Sequence, residues 1–550
     1  MEEFLIPRAA RNLRGSQRRP TSPSPSHLSL LTSHFPMIPV LSPEQSNAWD
    51  RLAVSAGIEL ATLMESAGRA VAVVLADRYP RLLRAGVLVA AGPGNNGGDG
   101  WVLARALHHA EIPVWVASSS AGSELRERMA RLARAEGVRE VGPDGPWPSV
   151  GLAIDALLGT GASGAPRAGL AALVARLVDL DVPILAIDGP TGVDLLTGAV
   201  HGVTRADLTV TFGGFRRGHL LAREEVGDLV VVDIGHPPAD PSWPALVTDV
   251  QAAQWMRRLR ARDHKGDRGR VVVVGGATGM SGAARMAARA AFSAGAGLVH
   301  VVAPADTVAA LVQAEPDVQT FAHSLDEPPP AALLELIERA DAVVIGPGLG
   351  RAPGRRNFIT AMVEAARTVV LDADALTAFA GAAGELLPLA SARALVLTPH
   401  PGEFRSLFPA LAGTRELDPW AAAAAAAQET GATILLKGVP TVIASRPRQL
   451  LTIVAGNPGL ATGGSGDVLS GLVAANLASG LDPDIAAALG AQALGRAADL
   501  GARRYTARSL RPMDVVEALP DLWREWDVLR NARPAPHPPV LLELLRPQTA

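Results

Sequence analysis

The chain contains no cysteine, so it can form no disulfide, no thiolate nucleophile and no cysteine-ligated zinc site. Aromatic residues make up only 4% of the sequence, and the twelve histidines form no HxxxH-type cluster for a metal ion. No uncharged apolar run reaches the length of about 18 residues that a membrane-spanning helix needs. The formal net charge of −3 provides no basic field for nucleic acid. We therefore expect a cytoplasmic enzyme that acts on small molecules and has no nucleic-acid or membrane partner. We also expect a homo-oligomer, although the composition does not indicate the oligomeric state.

Lysine is almost absent, because only Lys265 and Lys437 among the 51 basic residues are lysines. A lysine that persists in such a composition indicates a position where a compact ammonium is needed and a planar guanidinium would not fit. The alternative is that these two lysines remain by chance and have no functional meaning. Both residues flank glycine-bearing segments at predicted strand ends, and Lys437 within "ILLKGVPT" could meet nucleotide phosphates.

The length of 550 residues predicts two to four domains. Residues 1–36 are rich in Arg, Ser and Pro without periodicity, which predicts a disordered or wrongly included extension, with a targeting peptide as the alternative. From 37 to 245, nearly continuous apolar runs alternate with helical stretches, as in a doubly wound parallel sheet. A second α/β series occupies 255–525, and 526–550 is predicted to be a loosely attached tail.

The loop "GPGNNGGDG" (92–100) lies between a predicted strand and a predicted helix. Its glycines let backbone amides approach a phosphate, and the helix N-terminus favours an anion. Asp99 would repel a bare phosphate, so it fits better where the loop also orders a cation or a sugar hydroxyl. Asp155 and Asp188 end two further predicted strands beside glycine-rich loops, and the carboxyl ends of parallel strands meet in one crevice. Taken singly, each aspartate could instead cap the following helix.

The run "NPGLATGGSGDVLSG" (457–471) places Gly463, Gly464 and Gly466 before an apolar helix that opens at Asp467. Backbone amides there form an anion hole, and Asp467 is a candidate general base. This arrangement suits the attack of a hydroxyl on a terminal phosphate whose developing charge the amides and a metal ion stabilise. The alternative is a helix-capping aspartate after a flexible loop.

Three motifs, "GPGNNGGDG", "DALLGTGASG" and "AIDGPTGVD", resemble in order and spacing the N-terminal domain of the bifunctional NAD(P)H-hydrate repair enzymes. That domain is a Rossmann-like epimerase of the hydrated dinucleotides NADHX and NADPHX. The resemblance implies a potassium ion held by Asn96, Asp155 and Thr191. The family usually has a lysine where this chain has Arg216, so any role that needs an ammonium is in doubt. The implied substrate contacts are Asn95, Asn96, Gly97, Gly98, Asp99, Gly159, Thr160, Gly161, Ala162, Ser163, Gly164, Ala165 and Asp188.

The motifs "HKGDRG", "GPGLG", "TPHPGEF", "LLKGVPT" and "NPGLATGGSGDVLSG" resemble the ribokinase-like dehydratase half of the same enzymes, an α/β/α domain. The resemblance implies Mg²⁺ and ADP as cofactors. One departure is Thr377, where the family commonly has asparagine. The residues implied to hold the hydrate are Ala283, Gly348, His400 and Asp467. Those implied to hold the adenine nucleotide are Lys437, Gly438, Val439, Pro440, Thr441 and Gly466.

These resemblances predict a metabolite-repair enzyme with Asp188 and Asp467 as catalytic residues. The first domain would interconvert the R and S hydrates, and the second would use ADP to phosphorylate and dehydrate the S form, releasing AMP and phosphate. A ribokinase-like small-molecule kinase fused to a non-catalytic Rossmann-like binding domain is the alternative. An ordinary oxidoreductase is less favoured, because the fingerprint-like "GGATGMSG" is followed by a predicted strand that does not end in an acid for a ribose hydroxyl.

Overall fold

The computed structural model describes residues 37–119, 122–202, 205–531 and 539–546. The predicted N-terminal extension, 1–36, lies outside the described residues. Within them, two largely parallel sheets are covered by helices, which confirms the predicted two-part α/β class. None of the described helices combines the length and the apolar character needed to cross a membrane.

The strands are short and mostly apolar, as expected for sheets that are buried on both faces. In chain order they are β1 Ile38–Leu41, β2 Val87–Ala91, β3 Val114–Ser118, β4 Arg139–Val141, β5 Leu152–Ala156, β6 Ile184–Ile187, β7 Leu208–Phe212, β8 Phe215–Arg216, β9 Asp228–Val232, β10 Ala245–Leu246, β11 Arg270–Val274, β12 Leu298–Ala303, β13 Gln319–Ala322, β14 Ala342–Ile345, β15 Thr368–Leu371, β16 Ala394–Leu397, β17 Thr433–Leu436, β18 Thr441–Ala444, β19 Leu451–Ile453 and β20 Val540–Leu544.

The helices connect these strands and cover both sheets. In chain order they are α1 Pro43–Ser55, α2 Leu60–Arg78, α3 Pro80–Arg84, α4 Asn95–His109, α5 Glu124–Ala135, α6 Ala168–Val178, α7 Arg217–Leu221, α8 Arg223–Val226, α9 Asp249–Trp255, α10 Ser281–Ser293, α11 Ala305–Ala314, α12 Ala331–Glu338, α13 Arg355–Ala365, α14 Asp374–Thr377, α15 Leu387–Ala392, α16 Pro401–Leu407, α17 Ala412–Leu417, α18 Pro419–Thr430, α19 Ser465–Ala478, α20 Pro483–Tyr505 and α21 Pro512–Asn531.

The first sheet has, among the described residues, eight strands in the order β20-β9-β7-β6-β5-β2-β3-β4. All neighbours are parallel except β20, which runs antiparallel to β9. The chain moves from β2 outward through β3 and β4 and then returns to the other side of β2 with β5. The strand order therefore reverses between β2 and β5, and ligands bind beyond the carboxyl ends of the strands at such a point.

The second sheet has, in the part of the chain that is described, twelve strands in the order β13-β12-β11-β14-β15-β16-β17-β18-β19-β10-β1-β8. Strands β12 and β13 lie on one side of β11, and β14 to β17 lie on the other, all in parallel. The reversal point of this sheet therefore lies between β11 and β14. The loops that follow these two strands hold each other, because the Ala277 N–H donates to the Gly348 carbonyl at 2.7 Å.

Three short strands from the N-terminal part of the chain extend the second sheet. Strand β10 pairs with β19, β1 pairs with β10, and β8 pairs with β1, where Leu41 is the register partner of Arg216. The core is continuous as well, since Val40 and Phe215 belong to the same buried cluster as Val343. The N-terminal part thus contributes to both sheets. The predicted domain boundaries near 245 and 255 stay predictions.

The C-terminal residues correct the prediction of a loosely attached tail at 526–550. Helix α21 continues to Asn531, and β20 pairs along β9 so that it covers the edge of the first sheet. The Asp233 N–H also donates to the Pro539 carbonyl at 2.7 Å. An edge strand presents unpaired main-chain groups that a short apolar segment such as "VLLEL" can satisfy. The prolines that precede this segment concealed its strand character in the sequence.

Candidate active sites

The first candidate site forms where β2 and β5 end side by side. The Gly92 N–H donates to the Ala156 carbonyl at 3.0 Å. A Cβ atom on Gly92 would lie 1.8 Å from the Leu157 carbonyl oxygen, so only glycine permits this approach. Helix α4 then starts at Asn95, within the predicted glycine loop. The close contact brings the two glycine-rich loops to one cavity.

This first cavity has a volume of about 670 Å³ and collects most of the residues implied for the epimerase. Three implied residues do not line it. Gly97 and Gly98 pack α4 closely against the Gly92 carbonyl and the Met64 side chain, and Gly164 lies in the loop after β5 with φ 72°. The implied residues that line the cavity are Asn95, Asn96, Asp99, Gly159, Thr160, Gly161, Ala162, Ser163, Ala165 and Asp188.

Asp188 is the most heavily bonded carboxylate of this cavity. Its Oδ2 accepts hydrogen bonds from the Thr160 N–H at 2.7 Å and the Thr160 hydroxyl at 2.5 Å, and its Oδ1 accepts one from Arg216 Nη2 at 3.1 Å. Burial works to raise the pKa of Asp188, but the Arg216 guanidinium and the Thr160 donors together hold it below its usual range. The backbone of Asp188 has φ 63°, an uncommon region for a residue other than glycine. Asp188 is therefore a fixed, ionised group.

Arg216 occupies the position where the family usually has lysine, and all three nitrogens of its guanidinium group donate hydrogen bonds. Besides Asp188, it donates from Nε to the Thr160 hydroxyl at 3.0 Å and from Nη1 to the Gly214 carbonyl at 2.8 Å. A lysine ammonium could not make these divergent contacts at once. The Arg216 N–H in turn donates to His219 Nδ1 at 3.0 Å, and His219 Nε2 lies 2.6 Å from the Asp188 carbonyl.

These two contacts fix the state of His219. Because Nδ1 accepts a hydrogen bond, Nε2 carries the proton and donates it to the Asp188 carbonyl. Burial lowers the pKa of His219 to about 3, and the charge of Arg216 adds to that effect against the pull of Asp188. His219 is therefore a neutral clamp on the Asp188 backbone.

Asp99 lines the same cavity from the first turn of α4, yet it differs from Asp188 in every contact. No hydrogen bond or ion pair to its carboxyl group occurs among the described residues. Burial raises the pKa of Asp99 well above its usual range, and the charges of Asp188 and Asp50 raise it further. The surroundings of Asp99 therefore favour its protonated form.

Asp155 is the penultimate residue of β5 and is fully buried. Its Oδ2 accepts a hydrogen bond from the Thr191 N–H at 2.7 Å, and its Oδ1 accepts from the Thr191 hydroxyl at 2.7 Å. Asn96 is also buried, and neither Oδ1 nor Nδ2 of its side chain has a hydrogen-bond partner among the described residues. A buried amide without a hydrogen-bond partner needs an explanation, such as a bound ion.

The second candidate site surrounds the N-terminus of α19. Gly464, with φ 102°, turns the chain into this helix, and Asp467 lies in its first turn. Lys437 Nζ donates to Asp372 Oδ1 at 3.0 Å and lies 3.7 Å from Glu403 Oε2. A Cβ atom on Gly466 would lie 3.3 Å from Lys437 Nζ, so the backbone of the glycine run lies against the ammonium.

Asp467 is left without a dedicated cation because Lys437 is bonded to Asp372. Burial and the negative charge of Asp372 raise the pKa of Asp467 to about 7, although the charge of Lys437 opposes them. Burial alone would lower the pKa of Lys437, but Asp372 and Glu403 raise it above its usual value. The site therefore combines a permanent ammonium with a carboxylate that changes its charge near neutral pH.

The other residues implied for the second site reach it from neighbouring loops. Gly348 adopts φ 58°, and a Cβ there would lie 3.2 Å from the Ala283 Cβ, so these two residues are adjacent. His400 caps α16, with Nδ1 accepting from the Gly402 N–H at 3.0 Å, and its Nε2 lies 3.3 Å from Glu403 Oε1. Glu403 thus connects His400 to Lys437.

The implied nucleotide segment follows Lys437 directly. It forms the exposed loop between β17 and β18, in which the Thr441 hydroxyl donates to the Gly438 carbonyl at 3.1 Å. Val439 is 79% exposed, so this segment presents its backbone and an uncovered apolar side chain to solvent. Pro440 completes the loop.

Sequence reasoning missed the acids around Lys437. Asp372 directly follows β15, and its Oδ1 also accepts a hydrogen bond from the Thr398 hydroxyl at 2.8 Å. Asp372 lies at the carboxyl end of an apolar strand as Asp155 and Asp188 do, so the strand-end pattern contained the signal. Glu403 is the helix-capping partner of His400 and gave no separate signal.

Comparisons with known proteins match both parts of the chain. A family model described as "NAD(P)H-hydrate dehydratase" matches residues 271–521, and one described as "YjeF-related protein N-terminus" matches residues 60–218. A bifunctional NAD(P)H-hydrate repair enzyme of Escherichia coli is 37% identical over 84% of this chain and 89% of its own. One of Salinibacter ruber is 36% identical over 88% of this chain and 95% of its own.

A solved structure also aligns with part of the chain. An ADP/ATP-dependent NAD(P)H-hydrate dehydratase from Bacillus subtilis, co-crystallised with ATP and Mg²⁺, is 26% identical with a TM-score of 0.46, over 51% of this chain and 97% of its own. The two largely parallel sheets and the matched family models define a two-part α/β enzyme. The chain belongs to the family of bifunctional NAD(P)H-hydrate repair enzymes. This membership confirms the predicted family and favours repair over the kinase alternative.

Proposed function

We propose that the chain epimerises the R and S forms of hydrated NADH and NADPH and dehydrates the S form at the expense of ADP, releasing AMP and phosphate. The observation that carries this function is the second site, where Asp467 adjoins the glycine-run backbone while Lys437 is bound to Asp372. Asp467, a base with a pKa of about 7, and the fixed ammonium of Lys437 together suit the transfer of a phosphoryl group to an alcohol.

In the dehydratase site, Asp467 would accept the proton of the ring hydroxyl as that oxygen attacks the terminal phosphate. The amides of Gly466 and its neighbours at the start of α19, together with Lys437, would stabilise the charge on the phosphate oxygens. Ala283, Gly348 and His400 would hold the hydrate. Departure of the phosphate then restores the ring double bond.

The residues of this site fit a magnesium ion. Mg²⁺ in phosphoryl-transfer sites is bound through one or two carboxylates plus substrate phosphates rather than by a cage of protein ligands. Asp372 uses Oδ1 for Lys437 and Thr398, and its Oδ2 faces Gly466, where a Cβ would lie 3.6 Å away. Asp372 would therefore hold the ion, which would neutralise charge on the nucleotide. Thr441 and Gly438 belong to the loop proposed to hold the adenine nucleotide.

In the epimerase site, the Asn96 side chain, Asp155 and Thr191 fit a potassium ion. All three offer oxygen atoms, the ligands that hard cations prefer, and the Asn96 Oδ1 has no other partner among the described residues. Asp188, held by Arg216, would contact the hydrate. Thermal unfolding in K⁺ compared with tetramethylammonium tests this assignment, because a specific ion stabilises the folded state it binds.

The main experiment incubates hydrated NADH with the chain, ADP and Mg²⁺. Return of the reduced-ring absorbance from the S form, and more slowly from the R form, is the expected result. A stable phosphorylated product without recovery of reduced cofactor would instead show a kinase. Replacing ADP by ATP tests the nucleotide preference. Cytoplasmic localisation and a homo-oligomeric state are part of the same proposal, and sedimentation of the purified chain tests the latter.

A further inference from the structure

Asp99 and Asp188 line one cavity but are built to hold opposite protonation states. Asp188 accepts hydrogen bonds from Thr160 and forms an ion pair with Arg216 at 3.1 Å. Asp99 is 9% exposed, and within the described ranges its carboxyl group has neither a donor nor a cation. A buried carboxyl group that lacks both persists as the neutral acid, because burying an unpaired charge is costly.

Two titratable groups whose surroundings separate their protonation states are the usual basis of an acid–base division. The charged groups that line the cavity are Asp50, Asp99, Arg167, Asp188, Arg216 and His236. Asp50 bonds to His236 Nε2 at 2.9 Å and lies at the cavity wall, where its charge also favours the protonated state of Asp99. Arg216 is committed to Asp188. Asp99 is therefore the protonated carboxyl group that this wall of the cavity offers to a ligand.

We propose that Asp99 is a catalytic residue of the epimerisation, donating the proton that lets the ring hydroxyl leave as water. This inference rests on the proposed epimerase function of the same cavity. It goes beyond contact with the hydrate, because it assigns Asp99 the acid role and Asp188 the base role.

The chemistry of the hydrate makes such a donor useful. Addition of water to an enamine double bond places the hydroxyl on the carbon bonded to the ring nitrogen. Asp99 gives its proton to that hydroxyl, the carbon–oxygen bond breaks, and the nitrogen lone pair forms a carbon–nitrogen double bond. A second water then adds to the opposite face of the carbon, the double-bond electrons return to nitrogen, and Asp188 takes the proton of that water. Proton transfer from Asp188 to Asp99 through solvent restores the site, and no oxidant or reductant is needed.

Oxygen exchange tests the proposed step without any variant. Purified S hydrate is incubated with the full chain in ¹⁸O-labelled water, without nucleotide, and the R hydrate formed is analysed by mass spectrometry after subtraction of the enzyme-free reaction. We expect one labelled oxygen in each epimerised molecule. Epimerisation that retains the original oxygen would overturn the step, because the hydroxyl would then never have left the carbon.

The variant Asp99→Asn tests the residue. It keeps the size of the side chain and removes the acidic proton, so epimerisation and label uptake should both fall by about 100-fold, as for loss of a general acid. Asp77→Asn makes the same change on an exposed face of α2 and should leave both rates unchanged. Dehydration of the S hydrate with ADP should be unaffected in both variants, which shows that Asp99→Asn is folded.

The possible failures are distinguishable. A wild-type rate and wild-type label uptake in Asp99→Asn would overturn the assignment of Asp99 while the epimerase function stands. An equal loss of S-hydrate dehydration in that variant would assign Asp99 a structural role and overturn the proposal in the same way. Absence of epimerisation by the wild-type chain would overturn both this inference and the proposed function.

Discussion

Asp188 is buried and Asp467 is half-buried, and both lie beside glycine-rich loops, yet their surroundings move their pKa values in opposite directions. Asp188 has its own guanidinium, from Arg216, and remains ionised. Asp467 has no ion-pair partner of its own among the described residues, since Lys437 is bonded to Asp372, and burial together with the charge of Asp372 raises the pKa of Asp467 to about 7. Two aspartates in similar loops therefore differ in charge because only one of them has a cation of its own.

The largest expected effect comes from Asp467→Asn. The amide cannot accept a proton, so dehydration of the S hydrate with ADP should fall by about 1,000-fold, within the range for loss of a general base. Epimerisation, measured by chromatography of the two hydrates without nucleotide, should remain at the wild-type rate because its residues come from other loops. Loss of both activities would show that the two sites are not separate.

Asp188→Asn should slow epimerisation by about 100-fold, since it removes the base and leaves Arg216 without its partner. Repair of the R hydrate would then be limited by spontaneous epimerisation. Repair of the S hydrate, followed by the absorbance of the reduced ring, is the internal control and should be unchanged. An equal fall in the rate of S-hydrate repair would contradict the assignment of Asp188 to the epimerase site.

The pH dependence sharpens the contrast between the two aspartates. A base must be ionised, so dehydration at concentrations of S hydrate and ADP well below saturation, where the rate reports the free enzyme, should rise with pH and reach half its maximum near the pKa of about 7 of Asp467. Lys437→Gln removes a charge that favours ionisation, so the rise should move to higher pH and the rate at pH 7 should fall by roughly tenfold. An unchanged profile in Lys437→Gln would show that the ammonium does not act on Asp467.

Much of both sites could be predicted from the sequence because glycine runs and strand-end aspartates have a fixed meaning in a parallel sheet. The pattern placed Asp99, Asp155 and Asp188 at strand ends, and all three surround the reversal point of the first sheet. It could not assign their charges. The pKa of a carboxyl group depends on partners far away in the chain, such as Arg216 for Asp188.

The two lysines show the same limit. Both looked equally informative in an arginine-rich sequence, but only Lys437 is held by carboxylates at a candidate site. Lys265 is exposed and precedes β11, at the end of the strand opposite to the glycine loop. The sequence also did not predict that strands from the N-terminal part join the second sheet or that β20 joins the first. These edge strands have only two to five residues, which is too short for a periodic signal.

The smallest predicted effect concerns stability and again separates Asp467 from a carboxylate with a cation of its own. An unfolded aspartate has a pKa of about 3.9, and Asp467 has one of about 7 in the folded chain. The folded state therefore binds more protons between these values, so this residue lowers stability as the pH rises from about 4 to 7.

Asp467→Asn removes that penalty and should stabilise the chain at pH 8 by about 2 kcal/mol after allowance for partial exposure. In thermal unfolding, the midpoint should rise by about 2–4 °C at pH 8 and should not change at pH 4. The exposed control Asp317→Asn should leave the midpoint unchanged at both pH values. No gain at pH 8 would mean that a cation other than Lys437 keeps Asp467 ionised in the folded protein, and its role would then match that of Asp188.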